Sequence, residues 1–183
     1  MKPNAIIVFL VLAMLTSQAF SWWSSSRRRR TTVPTSSRSS PAGGPSSNPN
    51  AVVCTSYRSS NYITCKKGGS SVTCTTQPPT ETRDDQYGGP TPRGEYLIGK
   101  RYTHPQKEID WYNLYPKKED NSGYYGYRQR TQKGRNTMGL HPGTVSLGCV
   151  TVEQTCWPKI RSIIDSGSMQ YRGSGYSGFL YVK

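Results

Sequence analysis

From Ala51 onward, the apolar residues of this chain alternate with polar ones in short runs, and that two-residue period admits strands and little else. The runs are Asn61–Cys65, Ser71–Thr75, Gly94–Tyr102, Ile109–Tyr115, Tyr124–Arg128 and Phe179–Val182. Turn-forming clusters separate them, among them Gly68-Gly69, Gly88-Gly89-Pro90 and Asn121-Ser122-Gly123. The pattern predicts a mainly β, mostly antiparallel domain over residues 51–183. It leaves room for one short helix near the C-terminus. Thr155 suits its cap, Pro158 its first turn and Gly167 its end, while Ile160, Ile163 and Ile164 share one face.

The N-terminal part is of another kind. Residues 1–21 read as a secretory signal peptide: Lys2, an apolar run from Ala5 to Leu15, then small residues suited to cleavage. The run is too short to span a bilayer, and no later stretch could. Residues 22–50 are rich in Ser, Thr, Pro and Gly and carry Arg27-Arg28-Arg29-Arg30. That composition predicts a disordered basic segment, open to processing after Arg30 and to O-glycosylation. The expected location is secreted, extracellular.

Charge narrows the partners. The chain has 24 Lys+Arg against 10 Asp+Glu, a formal +14. Residues 51–183 alone carry 18 Lys+Arg and all 10 carboxylates. Such a balance favours anionic polymers, bacterial surface polymers above all. Nucleic acid is not expected, since the chain is read as exported and no recognisable binding motif organises the basic residues. The same charge also serves solubility alone.

Five cysteines are an odd number in a chain read as exported. Cys54, Cys65 and Cys74 lie close together, and Cys65 and Cys74 flank the turn Lys66-Lys67-Gly68-Gly69 like the arms of a hairpin. Two of these three are expected to pair locally and the third with Cys156, with three connectivities open. Cys149 is then the free thiol. A Cys149–Cys156 bond is the competing arrangement. No Cys-x-x-Cys occurs and the two histidines are far apart, which argues against zinc.

The free thiol follows His141-Pro142-Gly143-Thr144-Val145-Ser146-Leu147-Gly148. A thiolate is the reactive form of cysteine, so Cys149 needs a group that lowers its pKa or takes its proton. His141 supplies that group if the strand ending at His141 and one beginning at Cys149 fold back beside each other. Gly148 permits a tight turn, and its backbone N–H with that of Cys149 can hold an oxyanion. Ser146 can orient His141 or meet substrate. His104 reads as structural or substrate-facing. Tyr112, Tyr115, Tyr124, Tyr125 and Tyr127 suit strand faces, and equally a groove that stacks on sugar or peptide.

Three motifs, in order, resemble the L,D-transpeptidase (YkuD-like) catalytic domain. Thr91-Pro92-Arg93-Gly94-Glu95-Tyr96-Leu97-Ile98 is similar to that family's Thr-Pro-x-Gly-x-Phe/Tyr-x-Ile segment. Leu140-His141-Pro142-Gly143 resembles its Ile-His-Gly, and Ser146-Leu147-Gly148-Cys149-Val150 its Ser-x-Gly-Cys-Ile/Val. The short His-to-Cys spacing looks like the compact branch that includes bacterial peptidoglycan-targeting toxin effectors. Two positions depart: Thr151 stands where arginine is usual, and Pro142 displaces a glycine. The resemblance implies an L,D-transpeptidase-like β-sandwich with one short helix near the C-terminus. It implies a cysteine enzyme acting on peptidoglycan or its muropeptides, releasing terminal D-alanine through a thioacyl intermediate, with no cofactor. Cys149 would be the nucleophile, His141 the base, Ser146 orienting and Gly148 the oxyanion donor. Arg135, Tyr96 and Thr151 would bind substrate, with Arg135 a substitute for the missing arginine. The other reading is a catalytically inactive cationic protein that binds bacterial envelope polymers, and Thr151 is its best support.

Overall fold

A computed structural model describes residues 48–183; the expected signal peptide and most of the expected disordered segment lie outside the described residues. Ten strands and one helix follow in the order β1 (Val52–Tyr57), β2 (Tyr62–Lys67), β3 (Ser70–Thr75), β4 (Gly94–Thr103), β5 (Asp110–Pro116), β6 (Gly139–Pro142), β7 (Val150–Val152), α1 (Trp157–Asp165), β8 (Met169–Tyr171), β9 (Ser174–Tyr176) and β10 (Gly178–Val182). The domain is mainly β, with its one helix near the C-terminus.

Eight strands form one sheet in the order β3-β2-β1-β10-β4-β5-β6-β7, and β8 and β9 form a separate hairpin. Most neighbours are antiparallel, but β1 runs parallel to β10 and β6 parallel to β7. The sheet curls until its outer strands meet. The Gln77 N–H donates to Thr151 O at 2.8 Å and the Glu153 N–H to Thr75 O at 3.1 Å. The two halves of the sheet thus enclose the larger of two apolar clusters, as in a sandwich, while Ala51, Leu97, Met169 and Phe179 form a smaller one.

Alternation decides which residues enter it. Tyr112 and Leu114 of β5, Leu140 of β6 and Val150 of β7 point inward to meet Ile63, Tyr96 and Ile98. The helix closes the open side of the curl with Trp157, Ile160, Ile163 and Ile164. Polar contacts anchor it. The Trp157 Nε1–H donates to Asp110 at 3.0 Å, and the Tyr112 hydroxyl to Asp165 at 2.7 Å. The last turn of α1 has no basic residue of its own. Lys67 and Lys100 reach across from the sheet to the Ser166 and Gly167 carbonyls just beyond it. There their positive charge meets the negative end of the helix dipole.

Two local expectations are corrected. Tyr124–Arg128 makes no strand: only Lys117 and Tyr124 form a bridge. Its tyrosine packs instead edge-on against Tyr171, at 5.1 Å between ring centres. The helix is capped by Cys156, not Thr155, and no side chain bonds its first turn. The β2–β3 hairpin forms around the expected turn. Disulfides join Cys54 to Cys65 across adjacent strands and Cys74 to Cys156, and Cys149 is free.

Candidate active site

The strand ends at the edge of the sheet build the site. His141 lies on β6 beside Thr151 of β7, and Cys149 immediately precedes β7. The two strands run parallel, not folded back on each other as the spacing suggested. Loop 143–149 carries the chain from the end of β6 back to the start of β7. Ser146 bridges to Pro79, and the Leu147 carbonyl accepts from the Gly88 N–H at 3.3 Å.

Cys149 is half-buried, and the Gly139 N–H donates to its Sγ at 3.3 Å. Burial pushes the thiol pKa up, against the pull of that N–H and of the charges on Lys107 and Arg135. The resting group at neutral pH is therefore the thiol. His141 is 6 % exposed, and its ring stacks on Trp111 with centres 4.4 Å apart and planes 7° from parallel. Burial pulls its pKa down to about 4, with Lys107 and His104 adding to the effect and the Pro142 carbonyl opposing it. That carbonyl lies 2.8 Å from Nδ1. A carbonyl can only accept, so Nδ1 carries the proton and Nε2 keeps its lone pair. Nε2 is 3.5 Å from the Thr151 hydroxyl, at the limit of a hydrogen bond. Among the described residues no hydrogen bond joins His141 to Cys149.

The remaining expected residues fall into three places. Ser146 is buried, and its hydroxyl donates to the Cys149 carbonyl at 2.7 Å; it folds the turn and does not orient His141. The Gly148 N–H faces the Ser146 Oγ at 3.4 Å, so the oxyanion donor expected there is turned inward. The Cys149 N–H has no partner among the described residues and is the one available for that role. Tyr96 does not face substrate: it is 1 % exposed, and its hydroxyl is spent on Pro92 O at 2.6 Å. Thr151 is likewise fully buried, beside His141 and not in the open site. Arg135 donates to the carbonyls of Gln86 at 2.8 Å, Gly89 at 3.1 Å and Gly148 at 3.3 Å. Its guanidinium holds loop 86–90 against the nucleophile turn instead of waiting free for a ligand. Thr91 adds a bond to the same Gly148 carbonyl at 3.0 Å. Gly148 has φ +110°, and a Cβ there would lie 1.8 Å from the Arg135 guanidinium. No other residue fits.

Sequence reasoning missed Trp111. Its indole covers the outer face of Gly139, where a Cβ would sit 2.3 Å from the ring. Its Nε1–H donates to Asn113 Oδ1 at 3.0 Å, and the Tyr102 hydroxyl donates to the same oxygen at 3.0 Å. Trp111 therefore fixes the plane of the imidazole and lets the Gly139 backbone approach the sulfur. The signal was present: Trp111 and Asn113 share one face of β5, and a glycine two residues before a histidine marks a close approach. His104 joins the column, 4.8 Å from Trp111 on centres. A groove of about 650 Å³ runs past Cys149 between Trp111, Tyr127 and Leu147.

No family model matches the chain, and no curated protein matches it. Solved structures do. The chain is similar to L,D-transpeptidase 1 of Mycobacterium tuberculosis at 11 % identity and TM-score 0.40, covering 72 % of this chain and 61 % of that one. An L,D-transpeptidase of Mycobacterium smegmatis gives 11 %, 0.40, 72 % and 58 %. Bd1075 of Bdellovibrio bacteriovorus gives 16 %, 0.43, 73 % and 48 %. The chain thus spans less than two thirds of each of these three neighbours.

Proposed function

We propose that this chain is a secreted cysteine enzyme that cleaves or exchanges the terminal D-alanine of peptidoglycan stem peptides. The observation that carries the reading is one free thiol in an open groove. It sits in a Ser-x-Gly-Cys turn that leads into β7, and the neighbouring strand β6 carries a histidine whose Nδ1 is tied to a carbonyl and whose Nε2 keeps its lone pair. In the reaction Nε2 takes the thiol proton as Sγ attacks the carbonyl before D-alanine, and the Cys149 N–H receives the oxyanion. The C–N bond breaks, the histidine returns the proton to the leaving amine, and a thioester remains. Water or an amine then attacks the thioester and regenerates the thiol. The imidazole and the thiol must close on each other when substrate binds, since the resting pair is not hydrogen-bonded.

That last point, with the raised thiol pKa, favours a second reading: a cationic protein that binds envelope polymers and has lost catalysis. Incubation with soluble muropeptides separates the two. Mass spectrometry should show D-alanine released by the parent chain and none by Cys149→Ala. Tight muropeptide binding without release, in a folded sample with an alkylatable Cys149, would decide for the binding protein.

A further inference from the structure

Charge is distributed unevenly around the groove. Its lining includes Lys107, Arg128, Arg130 and Arg135, and Asp85 is its one carboxylate among the described residues. Asp85 is already neutralised from outside the groove by Arg83, through bonds of 3.0 and 2.6 Å. None of the four lining cations makes an ion pair among the described residues. Elsewhere on the domain Arg58, Arg101, Lys117 and Arg161 each hold a carboxylate. Arg135 is committed to carbonyls, which leave its charge in place. Lys107 sits 5.1 Å above Trp111, the ring that stacks on His141. Arg128 and Arg130 are exposed on the loop between β5 and β6.

The apolar part of the lining lies close by. Tyr87, Val145 and Leu147 are the exposed large hydrophobic residues among those described, at 77 %, 57 % and 44 %. Tyr87 and Leu147 line this same groove, and Val145 stands on the nucleophile loop. An apolar rim with guanidiniums free of ion pairs on one wall, Arg130 bonded only to the Gly134 carbonyl at 3.3 Å, suits an extended chain that is hydrophobic in its body and anionic at its ends.

We propose that this groove selects a peptide arm carrying a free carboxylate on the β5–β6 side of the scissile bond. Arg128 and Arg130 read that group, and the same arm with the carboxylate capped as an amide is rejected. The inference deepens the reading of Cys149 as the reacting group, and it rests on that reading for turnover but not for the electrostatics.

The first test needs no turnover. Cys149 in the full chain is alkylated with iodoacetate, which is anionic, and with iodoacetamide, which is neutral and of similar size. The iodoacetate-to-iodoacetamide rate ratio should be high and should fall as salt rises. In Arg128→Gln/Arg130→Gln it should drop about threefold, the effect two unit charges would have across about 10 Å of mostly aqueous groove. An unchanged ratio in that variant overturns the proposal, whatever the chain does to peptidoglycan.

The second test uses matched peptides with the carboxylate free or amidated. The amide should raise KM about fivefold or more with kcat little changed, and the double variant should erase the difference. Equal KM for both peptides in the parent overturns the selection. Turnover of neither peptide, with the alkylation ratio shifted as expected, rejects the enzyme reading and leaves the anion-selecting groove standing. Protection of Cys149 by polyphosphate but not by the free-carboxylate peptide overturns the peptide assignment.

Discussion

Arg135→Lys is the sharpest perturbation available, because one planar group carries contacts that a single ammonium cannot. The guanidinium makes three bonds of 3.3 Å or less, two to loop 86–90 and one to the nucleophile turn. A hydrogen bond from a charged donor contributes about 1.5–3 kcal/mol. Lysine keeps one of the three, and water reaches part of what is lost, since the site is only part-buried. The net cost should be about 2 kcal/mol, which moves a urea midpoint by about 1 M for a domain of this size. Cys149 reports the local effect: iodoacetamide should reach it several times faster once the two loops separate. A double-mutant cycle isolates the contact. Gly148→Ala places a Cβ 1.8 Å from the guanidinium, and the φ of +110° strains alanine in any background. Gly148→Ala should therefore cost at least about 1 kcal/mol less in Arg135→Met than in the parent, the difference being the clash alone. A lysine variant within ~0.5 kcal/mol of the parent, with unchanged alkylation, would refute the claim that Arg135 clamps the turn.

Four further outcomes are expected. With a pKa of about 4 in the fold against 6.5 unfolded, His141 resists protonation that the unfolded chain accepts. Stability should therefore fall as pH drops from 6.5 to 4, by up to ~3 kcal/mol, and His141→Phe should flatten that slope in pH-dependent urea titrations. The acid limb of any Cys149-dependent rate should lie near pH 4, since Nε2 stays basic above it. The Cys74–Cys156 bond closes a separation of 82 residues and the Cys54–Cys65 bond one of 11. Loop entropy makes the first worth about 4.5 kcal/mol and the second about 2.8 kcal/mol, so paired alanine variants should differ by roughly 2 kcal/mol in calorimetry. Gly139→Ala drives a methyl into Trp111 and should cost about 1–3 kcal/mol while slowing alkylation of Cys149; normal stability would show that the indole moves aside freely.

The parts of this domain that were legible in its sequence are those set by near neighbours. The β2–β3 hairpin follows from Gly68-Gly69 between alternating runs, and α1 from the spacing of its isoleucines. The pairing of four cysteines around a free Cys149 follows from their number and crowding. What stayed hidden depends on distant partners. Val52–Tyr57 becomes a central strand because β10 lies parallel beside it, over a hundred residues away in sequence. Tyr124–Arg128 has a strand's composition but finds a tyrosine hairpin to pack on instead of a strand. Within the site, His141 and Cys149 were legible from their motif. The orientation of the imidazole was not, because a tryptophan thirty residues upstream sets it. Arg135 looked like a free cation since nothing local shows that three carbonyls converge on it.

The meeting of β3 and β7 has a consequence for the chain among its own copies. An open eight-stranded sheet offers two unsatisfied edges, each a template on which another chain can add a strand. Here the ends of the outer strands spend bonds on each other, at Gln77–Thr151 and Glu153–Thr75, and the Cys74–Cys156 bond rivets the same seam. Reducing that bond should do more than soften the fold: it should unzip the seam and expose the very edges through which β proteins form aggregates.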